Sequence, residues 1–143
     1  MIKTDDFIRI PFADHGRTRQ GADCWGLICI MFAELRGVEL PSLTGYSDTK
    51  DKVRISDIIK SESIAWESIE PGKEETFDVA VFRMLGQPMH VGLVVKCGLM
   101  IHCERGSGVY LTEYYKERQW DKRLEGFFRY ADRSNIITAV SPT

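Results

Sequence analysis

Apolar positions fall into two contrasting patterns: one dense cluster near the N-terminus, and short alternating runs in the second half. Leu27, Ile28, Ile30, Met31, Phe32 and Leu35 cover more than one stripe of a helix. They predict a helix over residues 23–36, buried on most sides. Asp23 suits its N-cap, Gly37 its C-terminal cap and Arg36 the negative end of its dipole, and Pro41 prevents continuation. Residues 1–22 read as an irregular lead-in, punctuated by Pro11, Gly16 and Gly21. Within residues 42–75, Ser56 or Asp57 suits the cap of a second helix carrying Ile58, Ile59 and Trp66. The runs FDVAVFRML, MHVGLVV, LMIHCE, GVYLTE and LEGFFRYA are rich in aromatic and β-branched residues and separated by turn residues, so they predict strands. Helix first and antiparallel strands afterwards give an α+β class.

The chain has 143 residues and a formal net charge of −2, with acidic and basic residues mixed along it. That length suits one domain with one sizeable core, residues 1–143. The charge pattern argues against a nucleic-acid partner and a polybasic membrane patch. No run approaches the ~20 apolar residues of a membrane span, so no membrane insertion is expected. The opening MIKTDDFIRIPF lacks the apolar run and cleavage site of a signal peptide, so synthesis in the cytoplasm is expected.

Four cysteines, Cys24, Cys29, Cys97 and Cys103, form no CxxC pair and read as free thiols. Cys29 and Cys97 fit ordinary core or turn positions. Cys103 follows His102 along a strand and faces the other way. Cys24 differs, because it sits at the first turn of the predicted helix. Free backbone N–H groups and the positive end of the dipole stabilise a thiolate there. The backbone N–H of Cys24 is also the leading donor for an oxyanion forming on a substrate carbonyl.

Two of the three histidines, His90 and His102, lie in adjacent predicted strands. His90, Gly92, Val94 and Lys96 share one face of their strand. A three-residue turn at Lys96-Cys97-Gly98 sets Val95 opposite Leu99 and Gly92 opposite His102. His102 then stands diagonal to His90 on the same face, within reach of it. This geometry suits His90 to take the proton of Cys24 and His102 to orient His90 and fix its tautomer. Gly92 leaves room beside them for an extended substrate. Two strand histidines without a clear third ligand make a weak zinc site, so no metal is expected.

GRTRQGADCWGL around Cys24, MHVGLVV around His90 and LMIHCERGSGV around His102 resemble the NlpC-type cell-wall endopeptidases, a papain-like family. FDVAVFR is similar to the family's first central strand, which usually opens with a Gly-Asp pair, and GFFRY to its closing strand. The resemblance covers residues 11–130, leaving 131–143 as a C-terminal extension. It implies a nucleophile helix packed on a small antiparallel sheet, with Cys24 as nucleophile, His90 as base and His102 as third member. It implies cleavage of peptidoglycan stem peptides, often between γ-D-glutamate and a diamino acid, with no cofactor.

DCWGL resembles the phage tail-associated branch. It implies partners in a tail tip or hub and action in the host wall after assembly on a particle. Two alternatives stay open: a mainly structural tail-tip or tail-assembly protein of weak activity, and a papain-like amidase or acyltransferase. The chain departs from the family's pattern at Phe12, where tyrosine is usual, and at Asp14 and His15, where tryptophan and glycine are frequent. Phe12, Asp14, His15, Arg17, Asp23, Trp25, Gly92 and Glu104 are the expected substrate-groove residues, with Arg19 and Arg105 as further substrate-facing charges.

Overall fold

The computed structural model describes residues 2–41, 65–84 and 87–131. A short 3-10 turn, Thr4–Asp6, opens the lead-in, followed by a two-stranded hairpin of β1, Arg17–Thr18, and β2, Gly21–Ala22. Helix α1 spans Cys24–Arg36. The strands β3, Ala65–Ile69, β4, Val79–Met84, β5, Gln87–Lys96, β6, Leu99–Glu104, and β7, Gly108–Glu113, come next. A single helical turn, α2, Arg118–Asp121, precedes β8, Leu124–Ala131. The expected α+β arrangement is present, with a six-stranded antiparallel sheet in the order β3-β8-β4-β5-β6-β7.

Helix α1 has the ends its sequence predicts. Asp23 accepts a hydrogen bond from the Gly26 N–H at 2.7 Å, and Gly37 adopts the left-handed conformation at φ 65°. The Val38 N–H reaches back to the Phe32 carbonyl, which completes a Schellman-type stop. Residues from Cys24 to Phe32 are buried except Cys29, whereas the last turn emerges and leaves Leu35 43% exposed. Fully buried Leu27, Ile28 and Met31 each contribute about 1.5–3 kcal/mol of apolar transfer.

Alternation along the strands separates two apolar layers. Val79, Val81, Val91, Leu93, Ile101 and Cys103 pack with the residues of α1 in one cluster. Ala80, Phe82, Val94, Met100, Trp120 and Phe127 form a second cluster, built from the positions between them. Five predicted strands are observed, and β3 replaces part of an expected helix. Trp66 lies in that strand, paired with Tyr130, because AWESI alternates and finds β8 as its partner. The Ser56 or Asp57 cap and the helix carrying Ile58 and Ile59 lie outside the described residues.

The β5–β6 turn also differs from expectation. Lys96, not Val95, pairs with Leu99 across a two-residue turn, Cys97–Gly98. Gly98 takes φ 90°, and a bulge between Val94 and Lys96 absorbs the extra residue. Leu93 therefore pairs with Ile101, and one step further Gly92 falls opposite His102. The shorter turn and the bulge offset each other, so His102 keeps the expected face.

The loop into β4 is pinned by a buried ion pair. Asp78, 1% exposed, receives two hydrogen bonds of 2.8 Å from the Arg129 guanidinium of β8. The preceding residue, Phe77, holds φ 76°, a region costly for a side chain with a Cβ. Its ring packs edge-on to Phe32 at 5.4 Å and under the Arg36 guanidinium, also at 5.4 Å. Ring packing and backbone strain thus oppose each other at one residue. We predict that Phe77→Ala, which keeps the strain and loses the ring, destabilises by about 3 kcal/mol. Phe77→Gly, which loses both, should be the more stable of the two by about 1 kcal/mol in urea unfolding. The reverse order would mean that the left-handed backbone carries no cost.

Candidate active site

The segment before α1 is drawn tightly against the helix start. The Ala22 N–H donates to the Pro11 carbonyl, and the Ala13 N–H donates to the Ala22 carbonyl, each at 3.0 Å. A Cβ on Gly26 would lie 2.0 Å from the Gly16 carbonyl oxygen, and one on Gly16 would lie 2.3 Å from that of Gly21. These glycines let backbone approach backbone, rather than leaving a path for substrate. Asp23, 1% exposed, closes the arrangement. Besides capping Gly26, its carboxylate accepts from Arg17 Nη1 at 2.8 Å and from the His15 N–H at 3.2 Å. Cys24, 1% exposed, is the first helical residue after that cap.

The strand carrying His102 is tied to the same segment. Cys103 Sγ–H donates to the Ala22 carbonyl at 3.1 Å, so β6 grips the chain two residues before Cys24. Cys103 faces away from its neighbour His102, as alternation requires, and joins Cys24 and Val91 in the helix-side core.

His90 and His102 meet on the opposite sheet face, as the diagonal register implied. His90 Nε2 and His102 Nδ1 are 2.8 Å apart, and His102 Nε2 lies 2.8 Å from Thr112 Oγ1. Trp120 of α2 packs against both imidazoles, with centroids 5.3 Å from His90 and 5.0 Å from His102. His102 is fully buried, and this burial pushes its pKa down from 6.5 to about 3. A neutral His102 has one ring proton, so it can donate at one nitrogen and accept at the other.

Several expected groove residues have other roles. Trp25 is 1% exposed, donates from Nε1 to the Pro41 carbonyl at 2.9 Å and packs beside Trp66, so it is a core residue. The Asp23 carboxylate is committed to the helix start and Arg17. Gly92 opens no substrate space, because a Cβ there would meet Met100 Sδ at 2.5 Å and His102 Cβ at 3.3 Å. Phe12 is half-buried under the Arg105 guanidinium, which also pairs with exposed Asp14 at 2.6 Å. A groove of about 580 Å³ runs here between the lead-in and the β6–β7 turn, lined by Arg9, Phe12, Arg105 and Gly108. His15 is half-buried with φ 59°. Arg19 pairs with Glu34 on the surface at 2.6 Å, and Glu104 accepts from the Tyr110 hydroxyl. Among the described residues no group of three or more His, Cys, Asp or Glu is arranged to hold a metal ion.

A family model, the NlpC/P60 family, matches residues 9–129. The chain belongs to the NlpC/P60 family. The chain is 28% identical over 134 residues to the "Murein DD-endopeptidase MepS/Murein LD-carboxypeptidase" of Escherichia coli strain K12. That match covers 94% of this chain and 63% of the relative, so the chain spans under two thirds of the curated relatives it matches. The NlpC/p60 domain of the peptidoglycan hydrolase SagA has a similar fold, with a TM-score of 0.59 at 18% identity, covering 90% of this chain and 92% of that one. An NlpC/P60 family protein of Bacillus cereus gives a TM-score of 0.65 at 18% identity, over 90% of this chain and 38% of that one.

In this NlpC/P60 domain the residues that sequence reasoning missed are Thr112, Tyr110 and Trp120. A signal existed for the first two. The alternation in GVYLTE puts Tyr110 and Thr112 on one face, and β6–β7 pairing sets Tyr110 opposite His102. Trp120 arrives from a helical turn that no local pattern connects to the histidines.

The burial of His102 has a consequence for acid stability. In the unfolded chain His102 takes up a proton below about pH 6.5, while in the folded protein it resists protonation down to about 3. The unfolded state binds more protons across that window, so this group lowers stability as pH falls through it. We predict that His102→Asn flattens the stability profile between pH 6.5 and 4 by roughly 1 kcal/mol per pH unit. Parallel slopes for both proteins in chemical denaturation would show that His102 is not held neutral.

Proposed function

We propose that this NlpC/P60 domain is a cysteine peptidase acting on peptidoglycan stem peptides, with Cys24 as nucleophile, His90 as base and His102 as the residue that orients it. The observation that carries the reading is the 2.8 Å His90–His102 hydrogen bond, with the strand of His102 bonded through Cys103 to the segment that presents Cys24 at a helix start. With His90 Nε2 engaged by His102, Nδ1 is the atom that exchanges protons with the thiol. The Cys24 thiolate attacks the scissile carbonyl. The Gly26 and Leu27 N–H groups are taken by the Asp23 carboxylate and carbonyl, so the oxyanion is assigned to the Cys24 backbone N–H. The His90 imidazolium protonates the departing amine, and water activated by neutral His90 releases the acyl group from the thioester.

The bond assigned is that between γ-D-glutamate and a diamino acid, by the family resemblance of the motifs around Cys24, His90 and His102. The MepS name instead favours a D,D bond of a cross-link as the alternative, at 28% identity. The groove beside Phe12, Asp14 and Arg105 is the proposed seat for part of the stem. DCWGL supports a place in a phage or phage-like tail tip. There the domain is made in the bacterial cytoplasm, binds hub proteins and opens the wall locally.

Digestion of diaminopimelate-type peptidoglycan, read by mass spectrometry of the released fragments, tests this function. We expect stem-peptide cleavage that falls at least ~10³-fold in Cys24→Ala. The fragment masses separate the two bonds and expose amidase or transfer products. Absence of cleavage by folded wild-type protein would overturn the hydrolase reading in favour of a structural tail role.

A further inference from the structure

The groove beside Phe12 has two walls from distant parts of the chain, and they are fastened together. One wall is the lead-in from Ile8 to Phe12, and the other is the β6–β7 turn from Arg105 to Gly108. The Val109 N–H donates to the Ile10 carbonyl at 3.2 Å, which ties the start of β7 to the lead-in. Gly108 permits the close approach. It holds φ 71°, and a Cβ there would lie 3.1 Å from the Ile10 carbonyl oxygen. The Ser107 N–H closes the turn onto the Glu104 carbonyl at 3.1 Å. Phe12 also bridges Ala22, two residues before Cys24, so the groove adjoins the segment that presents the thiol.

Two guanidinium groups line this groove, and they differ in what holds them. Arg105 is fixed. Both carboxylate oxygens of Asp14 lie 2.6 Å from its Nη2, and its Cζ lies 4.9 Å from the centroid of the Phe12 ring. Asp14 engages only Nη2, which leaves Nε and Nη1 of the fork for another acceptor. Arg9 is exposed and enters none of the ion pairs among the described residues. The neighbouring carboxylates are already engaged, Asp14 by Arg105 and Glu104 by the Tyr110 hydroxyl. Ile8, Pro11 and Phe12 supply apolar lining beside the two cations.

We propose that Arg9 and Arg105 form a seat for a free carboxylate of the stem peptide, with Arg9 supplying the unmatched charge and Arg105 a fixed donor edge. The inference rests on the reading of the domain as a stem-peptide hydrolase and names the group by which its substrate is held. A γ-linked glutamate keeps its α-carboxylate, and diaminopimelate brings carboxylates of its own, so the substrate offers an anion on each side of the assigned bond. A guanidinium fork meets such a planar group with two parallel N–H···O bonds. Exposed cations alone hold an anion weakly in water. Here Arg105 is ordered beforehand by Asp14 and Phe12, so binding costs it less side-chain freedom.

The test is calorimetric binding of a synthetic L-Ala-γ-D-Glu-diaminopimelate tripeptide to the full chain carrying Cys24→Ala. Two further peptides carry amides, one in place of the glutamate α-carboxylate and one in place of the diaminopimelate carboxylates. We expect the free tripeptide to bind about 5–10-fold tighter than at least one amide, and the amide that loses affinity identifies the carboxylate seated. Arg9→Met and Arg105→Met should each reduce that ratio to within about twofold, while Arg9→Lys, which keeps the charge without the fork, should retain part of it. Both arginines are exposed, and unchanged unfolding midpoints check that the variants fold. Equal binding of all three peptides with both arginines in place, no binding of any of them, or a ratio that survives both methionine variants overturns the seat. Binding needs no turnover. A carboxylate preference lost in Arg9→Met would support the seat even where the protein with Cys24 intact cleaves nothing and the peptidase reading fails. Cleavage of all three peptides with equal kcat/KM would sink the seat and leave the peptidase reading standing.

Discussion

The arrangement around Cys24 depends on one buried carboxylate. Asp23 is 1% exposed and receives hydrogen bonds from the first turn of α1, from Arg17 and from the His15 backbone. Without those donors a buried carboxylate would cost several kcal/mol, so cap, arginine and loop are mutually required. Arg17 belongs to the small hairpin and also donates to the Gly16 carbonyl, which is pressed against Gly26. The carboxylate thus fixes where the lead-in lies relative to the helix start. Cys24 follows Asp23 directly and inherits that placement.

The sheet does a second job through its two faces. Its odd-numbered positions on β4 and β5 bury Val79, Val81, Val91 and Leu93 under α1. The positions between them put His90 on the other face, against Trp120. A slip of one residue would exchange the two sets, forcing Phe82 and His90 into the layer packed on α1, so the fit of each apolar layer holds the histidine register. Cys103 joins the faces. Its thiol reaches the Ala22 carbonyl on the helix side while its neighbour His102 meets His90 on the other.

Much of this was legible in the sequence, for identifiable reasons. Helix α1 carries its own caps, and five strands carry alternation strong enough to override uncertain turns. The β5–β6 turn was read one residue too long, yet the bulge between Val94 and Lys96 compensated and kept His102 beside His90. β3 was not legible, because its partner β8 lies about sixty residues away and AWESI reads equally well as helix in isolation. In the site, the positions of Cys24, His90 and His102 followed from local pattern. Trp25 and Gly92 were misplaced because burial by Pro41, Trp66 and Met100 is a property of packing between distant segments. Trp120 was missed for the same reason.

The departures from the family's residue pattern acquire a common physical meaning. His15 and Phe77 occupy places where the family commonly has glycine, and they are the two non-glycine residues with positive φ among the described residues, at 59° and 76°. Both residues hold a backbone conformation that glycine adopts without steric cost. Each side chain therefore needs a local compensation. Phe77 has its ring contacts with Phe32 and Arg36, and the Asp78–Arg129 pair anchors the next residue. At His15 the backbone N–H is held by Asp23, the same carboxylate that organises the helix start. Costly backbone shapes at both points are held by the surrounding contacts, so the path of these loops is set by their packing rather than by local side-chain preference. The path of one delivers Cys24 to the sheet, and that of the other starts the strand that pairs with β5, the strand of His90.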